Sequence, residues 1–123
     1  MVTFFRTLFF FVVFWLHQFL ILPLLGYYKY RQHKHGQRQD RDKVYEIAKR
    51  WGQLVCWSGG AKISVEDHSG LGAEEAVLFV SNHQGDFDIP LLVSEAGRPL
   101  AFVAKKELER IPLVSGWMRL LAA

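Results

Sequence analysis

The chain has 123 residues, half of them hydrophobic and 22% charged, with 15 Lys and Arg against 12 Asp and Glu for a formal net charge of +3. These values exclude a disordered or collagen-like chain and allow one small domain. The single cysteine, Cys56, excludes an intramolecular disulfide and a CxxC metal or redox pair, and it indicates a reducing compartment. Because Cys56 stands between Val55 and Trp57, we expect a buried, unreactive thiol.

The first predicted element is an apolar helix near the N-terminus. Leu8–Leu25 is a stretch of eighteen residues without a formal charge, and as a helix it would extend about 27 Å, close to the thickness of a bilayer core. His17, Gln18 and Pro23 are unfavourable in hydrocarbon, so a shallow or re-entrant helix fits the pattern as well as a full span. Only Arg6 precedes the stretch and no small-residue cleavage site comes after it, which favours a retained anchor over a signal peptide.

The flank after this helix is aromatic and basic. It contains Tyr27, Tyr28 and Tyr30 together with Lys29, Arg31, Lys34, Arg38, Arg41 and Lys43. By the positive-inside tendency the remainder of the chain is expected in the cytoplasm, against an anionic membrane surface. We do not expect nucleic acid as a partner, because the anchor adjoins the basic residues and no recognition motif or stacking platform comes after them.

An amphipathic helix is predicted next. Its N-cap is Asp40 or Asp42, it ends at Gly59–Gly60, and apolar residues recur within it at helical spacing: Val44, Ile47, Ala48, Trp51, Leu54 and Val55. The apolar face fits packing on a globular core or lying along the membrane, and the spacing does not choose between them.

The remaining half alternates between strand-like and helix-like patterns. Strands are predicted at 61–65, 76–80 and 100–104, and helices at about 88–96 and after residue 104, where the helical stretch is broken at Pro112. This order predicts an α/β fold. The chain thus divides into a membrane anchor helix (1–28), a basic linker with the amphipathic helix (29–60), and a partial α/β domain (61–123).

The most informative string is SNHQGDFDIP, residues 81–90, which comes directly after the predicted buried strand 76–80. Ligands of α/β proteins bind at the carboxyl ends of strands, so a site is expected here. A tight loop through Gly85 would bring His83 towards Asp88, as a base and the carboxylate that orients it. The alternatives are that Asp86 or Asp88 only caps a helix and that the histidine makes a structural hydrogen bond.

The same string resembles the Asn-His-x-x-x-x-Asp block of the glycerolipid acyltransferases, above all the bacterial members that acylate 1-acyl-glycerol-3-phosphate. The residues after it, Phe102–Leu108, Ile111–Pro112 and Gly116–Trp117, are similar to those after the block in the bacterial members. From Val77 to Trp117 the resemblance rests on specific motif residues, whereas before Ala61 it rests on amino-acid composition alone. It implies a glycerol-3-phosphate acyltransferase-like α/β domain behind the anchor and the amphipathic helix.

The resemblance also implies roles for individual residues. His83 would be the general base on the acceptor hydroxyl and Asp88 its orienting carboxylate. Asn82, Gln84 and Gly85 would shape the substrate-binding loop. Lys105 would lie near the acceptor's phosphate, although solvent exposure is the alternative for a cation at a helix start.

The reaction implied is transfer of an acyl chain from acyl-CoA or acyl carrier protein to lysophosphatidic acid, forming phosphatidic acid for phospholipid biosynthesis. No metal and no resident cofactor are expected. The partners implied are the membrane lipid acceptor, an anionic membrane surface and acyl carrier protein, at the cytoplasmic face of a bacterial cell membrane.

Some features depart from the family pattern. Its later Gly-x-x-Phe-x-x-Arg-like and Glu-Gly-Thr-Arg blocks do not occur, and Asp67–His68 stands where bacterial relatives have Gly. We therefore expect an N-terminal portion of an acyltransferase that alone is inactive and poorly stable. Two alternatives remain: a non-catalytic, membrane-anchored relic or binding module, and a metal-dependent phosphoesterase with His83, Asp86 and Asp88 as ligands.

Overall fold

The computed structural model describes residues 1–36, 39–82, 85, 87–103 and 106–122. The helices in this part of the chain are, in order, α1 (Val2–His35), α2 (Arg41–Ser58), α3 (Asp88–Glu95), a 3-10 helix (Lys106–Arg110) and α4 (Pro112–Ala122). The predicted sites His83, Gln84 and Lys105 lie outside the described residues, as does Asp86.

The anchor helix α1 has 34 residues, which corresponds to about 50 Å at 1.5 Å per residue. It continues through Pro23 and past the predicted boundary at residue 28, and it ends at Gly36, whose φ of 89° suits glycine. By length and composition it is the one described helix that could cross a membrane, and only 11% of its most apolar window is buried. Its apolar surface is therefore left largely uncovered by the rest of the protein.

Helix α2 runs antiparallel to α1. At one end Arg31 Nε lies 2.8 Å from the carboxylate of Asp40, and at the other end the rings of Phe9 and Trp57 are 5.7 Å apart. Asp40 occupies the predicted N-cap position, but its side chain makes no capping hydrogen bond. The carboxylate is instead buried in the ion pair with Arg31, which joins the two helices at this end.

Helix α3 packs on α2 at a glycine. A Cβ atom added at Gly52 would overlap the carbonyl oxygen of Pro90 and press on Ser94 Cβ at 3.2 Å. The absence of a side chain at Gly52 thus allows the two backbones to approach closely. Since α3 begins at Asp88, this crossing helps to set the position of the candidate carboxylate.

Gly52→Ala is expected to destabilise the protein by about 1–3 kcal/mol, because overpacking a helix crossing forces backbone shifts. The matched control is Gly26→Ala within α1, where an added Cβ has nothing within 4 Å and helix propensity favours alanine by up to about 1 kcal/mol. Thermal unfolding of both variants measures the difference. A midpoint for Gly52→Ala equal to that of Gly26→Ala would contradict this close packing.

Helix α4 closes a small apolar core against α1 and α2. Leu25, Val44 and Leu120 are its buried members, and each contributes about 1.5–3 kcal/mol of burial free energy. A second glycine, Gly116, lies at this crossing, where an added Cβ would be 3.0 Å from Lys29 Nζ and 3.2 Å from Leu25 Cδ2. The side-chain amide of Gln32 also donates to the carbonyl oxygen of Leu120 at 3.4 Å.

The predicted strands are not formed in the described part of the chain. Residues 61–65, 76–80 and 100–103 have irregular backbone, and among the described residues no backbone hydrogen bond joins any two of these segments. A strand exists only through hydrogen bonds to a neighbour, and a run predicted to be buried on both faces also needs helices to cover it. Leu78 and Val80 are instead more than four-fifths exposed, at 84% and 87%. The α/β prediction is thus confirmed for its helices and wrong for its strands within these residues.

Candidate active site

The candidate active site is the loop that leads into α3. Asp88 is the first residue of the helix, and its backbone N–H donates to the carbonyl oxygen of Gly85 at 3.2 Å. In return, the N–H of Gly85 donates to Asp88 Oδ2 at 3.1 Å. These two bonds join Gly85 to Asp88 in both directions and fix the carboxylate relative to the backbone of Gly85.

The position of Asp88 at a helix start favours a negative charge. The first N–H groups of a helix carry partial positive charge, and an anion there is stabilised by about 0.3–1 kcal/mol near a surface. The N–H of Gly85 adds a hydrogen bond to one carboxylate oxygen. The carboxylate of Asp88 thus has two favourable electrostatic contacts, with the helix N-terminus and with the N–H of Gly85.

A cleft of about 470 Å³ lies beside Asp88. Residues 61–66 form one wall, and α3 forms the other through Leu91, Leu92 and Ala96. Phe79 also lines it. Its size is in the range of small-molecule sites, and its mostly apolar walls, which also include the charged residues Lys62, Glu66, Asp88 and Glu95, suit an amphiphilic ligand.

Cys56 lies in the lining of this cleft but is 2% exposed. Burial raises the pKa of its thiol, and the nearby carboxylate of Glu95 raises it further. Since the thiolate is the reactive form, Cys56 is a poor nucleophile. The prediction of a buried thiol is confirmed.

Two other predicted loop residues are described. Asn82 and Gly85 are both exposed. Gly85 lies in the predicted tight turn, although its φ is not positive and a Cβ there would have nothing within 4 Å. Glycine at this position is therefore not required by the backbone or by packing.

Sequence reasoning missed Arg98. Its guanidinium donates to the carbonyl oxygens of Glu75 at 2.8 Å and of Gly72 at 3.1 Å. These bonds tie the loop before residues 76–80 to the turn after α3, and so connect both chain segments that flank the motif loop. The only signal in the sequence was its place in the Gly97–Pro99 turn, which does not reveal a partner 23 residues away.

The described residues contain no group of three or more His, Cys, Asp and Glu close enough to hold a metal ion. The phosphoesterase alternative depends on His83 and Asp86, which lie outside these residues. It is therefore not tested by the geometry.

A family model described as Acyltransferase matches residues 62–123, which is half of the chain. The chain belongs to the acyltransferase family. Comparison with curated proteins and with solved structures gives no significant match. The matched range contains the motif loop, α3 and most of the cleft lining, whereas α1 and α2 of this acyltransferase precede it.

Proposed function

We propose that the protein transfers an acyl chain from acyl-CoA or acyl carrier protein to the free hydroxyl of 1-acyl-glycerol-3-phosphate, forming phosphatidic acid for phospholipid biosynthesis. The observation that carries the proposal is the Asp88 carboxylate, which accepts a hydrogen bond from the N–H of Gly85 within the motif and lines a mostly apolar cleft. Membership of the acyltransferase family supports the reaction type.

The chemistry assigned to the loop is general base catalysis. His83 takes the proton of the acceptor hydroxyl as its oxygen bonds to the carbonyl carbon of the thioester. The carbon–sulfur bond then breaks, and the thiolate leaves with the proton returned by the imidazolium. Asp88 holds the imidazole in the tautomer that leaves a nitrogen free to accept, and it stabilises the cation that forms.

The other motif residues are proposed to bind and orient substrate. Asn82, Gln84 and Gly85 shape the loop around the reacting groups. Lys105 supplies an ammonium group, a compact positive charge that suits binding of the acceptor's phosphate. The acyl donor is a substrate, so the proposed reaction uses no resident cofactor or metal.

A lipid surface is the proposed setting, at the cytoplasmic face of a bacterial cell membrane. Large apolar side chains of α1 are exposed along the first five turns, including Phe4, Phe5, Phe11, Val12, Trp15, Leu16, Phe19 and Leu20. The basic residues after them would favour an anionic leaflet by up to about 1 kcal/mol each near the surface. Arg31 is a weaker contributor, because Asp40 already neutralises it.

The antiparallel pairing of α1 with α2 favours a helix that lies in the membrane interface. Because Phe9 meets Trp57 and Arg31 meets Asp40, α2 runs beside the apolar stretch of α1. Lys49 and Arg50 are halfway along α2. If α1 were perpendicular to the bilayer, both cations would lie near the bilayer centre. The insertion free energy would then be unfavourable by about 2.5–3.5 kcal/mol for each cation.

Trp15 provides a test of this orientation, since it lies near the middle of the apolar stretch and half of its surface is exposed. In a variant whose only tryptophan is Trp15, we expect stronger quenching by lipids brominated near the headgroup than by lipids brominated near the chain ends. A variant retaining only Trp117, which packs on the small core, is the control and should be little quenched. Strongest quenching of Trp15 by the deep bromines would indicate a spanning helix.

The reaction itself is tested by incubating the full-length natural protein in anionic vesicles with radiolabelled acyl donor and 1-acyl-glycerol-3-phosphate. We expect phosphatidic acid to form in equal amount to the thiol released. Thiol release without acylated product would indicate thioester hydrolysis, and phosphate release that a chelator abolishes would support the phosphoesterase. Either result would overturn the proposed transfer.

A further inference from the structure

We propose that Phe87 is a positioning residue for the transfer, because its partly exposed ring contacts Gly59 at the end of α2 and Phe10 of α1, and so sets where α3 begins and where Asp88 holds its carboxylate. The inference rests on the proposed function. It assigns a role to a residue that has no reactive group and does not belong to the Asn-His and Asp positions of the motif.

The first contact of the Phe87 ring is with Gly59. A Cβ added at Gly59 would lie 2.6 Å from both Cε1 and Cζ of Phe87. The backbone of Gly59 is right-handed, with φ −74° and ψ −10°, so any residue could adopt it. The ring, rather than the backbone, is therefore what requires a residue without a side chain at this position.

The second contact of the ring is with the anchor helix. The rings of Phe87 and Phe10 have centroids 5.6 Å apart with their planes at 48°. Phe10 in turn stacks on Phe14 at 5.9 Å and 27°. Aromatic pairs at such separations contribute about 0.5–1.5 kcal/mol beyond burial of area. The stacked rings of Phe14 and Phe10 on α1 thus contact Phe87, the residue directly before Asp88.

The position of Phe87 is transmitted to Asp88 through the backbone. Phe87 is the N-cap residue of α3, and its carbonyl oxygen accepts from the N–H of Leu91 at 3.0 Å. Asp88 is the next residue and is bonded in both directions to Gly85. A shift of the ring would therefore move the helix start and the turn 85–88 together.

A double-mutant cycle tests the proposal in the full-length natural protein, with the variants Gly59→Ala, Phe87→Ala and both together. Each single change is expected to lower kcat about ten- to a hundredfold, the size of effect that a misplacement near 1 Å can produce, with both KM values within twofold. The double variant should be no slower than Phe87→Ala, since the added methyl group then has no ring to displace. Gly26→Ala is the control and should keep the parental kcat.

The pH profile separates positioning from loss of folded protein. A displaced Asp88 would stabilise the imidazolium less, so the pKa of the imidazole would fall and the acidic limb of kcat would move to lower pH. A variant that only contains less folded protein would have a lower apparent kcat at every pH, and the acidic limb of its pH profile would stay at the parental pH. Each of three results would overturn the proposal. They are a parental kcat for Gly59→Ala, a kcat of the double variant that is reduced by the product of the two single effects, and an acidic limb that does not move.

A spectroscopic measurement keeps the inference distinguishable from the proposed function. With glycine labelled by ¹⁵N, the Gly85 amide resonance reports its hydrogen bond to Asp88 Oδ2, and Gly85→Ala assigns it. We expect Phe87→Ala and Gly59→Ala to shift this resonance in the direction given by Asp88→Ala. If the parent protein transfers no acyl group but these shifts occur, the proposed function fails, while the placement of the Asp88 carboxylate by Phe87 stands. An unshifted resonance in both variants would overturn the positioning role.

Discussion

Replacement of His83 by alanine is expected to lower kcat for acyl transfer by on the order of 10² to 10⁴, the usual contribution of a general base. Binding of both substrates should change little, because the imidazole acts on the hydroxyl proton in the transition state and contributes little to holding the ground state. Initial rates at saturating donor and acceptor measure the effect in the full-length natural protein.

His68→Ala is the matched control for this experiment. The His68 side chain is 86% exposed and its ring nitrogen lies 3.4 Å from Glu66 in a surface contact. Loss of this imidazole should leave kcat within twofold of the parent. A His83→Ala protein that retains the parental kcat would remove the residue from the mechanism, whereas an equal loss in both variants would indicate damage to the fold.

Asp88→Asn is expected to lower kcat at least about 100-fold, while stability falls by only about 0.3–1 kcal/mol, which the charge contributes at the helix start. The amide oxygen of asparagine can still accept from the N–H of Gly85, so the turn 85–88 is kept. The negative charge is lost, and with it the electrostatic stabilisation that we propose for the imidazolium formed at His83. Because neutral imidazole forms above its pKa, the acidic limb of the pH profile should move to lower pH.

Two further variants complete this test. Asp88→Ala removes the acceptor as well as the charge and should lower both kcat and the thermal midpoint. Asp67→Asn is the control, since Asp67 is an exposed carboxylate whose pKa is lowered by hydrogen bonds from Ser69. Equal rates for Asp88→Asn and Asp67→Asn would show that the charge at Asp88 has no part in the reaction.

The helices of the fold could be predicted from local signals. Helix α2 begins after Asp40 and ends before Gly59, as the N-cap residue and the pair of glycines indicate. Helix α3 begins at Asp88 and α4 at Pro112, where proline is suited to a first helical position. The extension of α1 to His35 was not predicted, because the change from apolar to basic side chains marks a change of surroundings and not of backbone conformation.

The strands illustrate the limit of local reasoning. The run 76–80 is strongly apolar, yet a strand forms only where a second segment offers its backbone groups, and no described segment does so. Side-chain pattern therefore predicts which residues suit a sheet. It does not determine whether a neighbour is present.

The motif predicts a chemistry for the candidate site, but it does not predict the contacts that support the described part of the site. The motif string indicated Asp88 as an orienting carboxylate, and the structure adds its bond to Gly85. These supporting contacts join residues that are far apart in sequence. Phe87 contacts Gly59 and Phe10, and Arg98 donates a hydrogen bond to the carbonyl oxygen of Glu75. No periodicity or spacing within one segment carries that information.

The side-by-side arrangement of α1 and α2 has a consequence for lipid traffic. In the proposed interfacial orientation, the charged helix α2, fixed along α1, would keep the protein on one side of the bilayer. The proposed acceptor and its product would then enter and leave through the same leaflet, and each turnover would enlarge that leaflet alone. Growth of the opposite leaflet would depend on separate transport of lipid across the bilayer. One protein would then make the lipid, and another would keep the areas of the two leaflets equal.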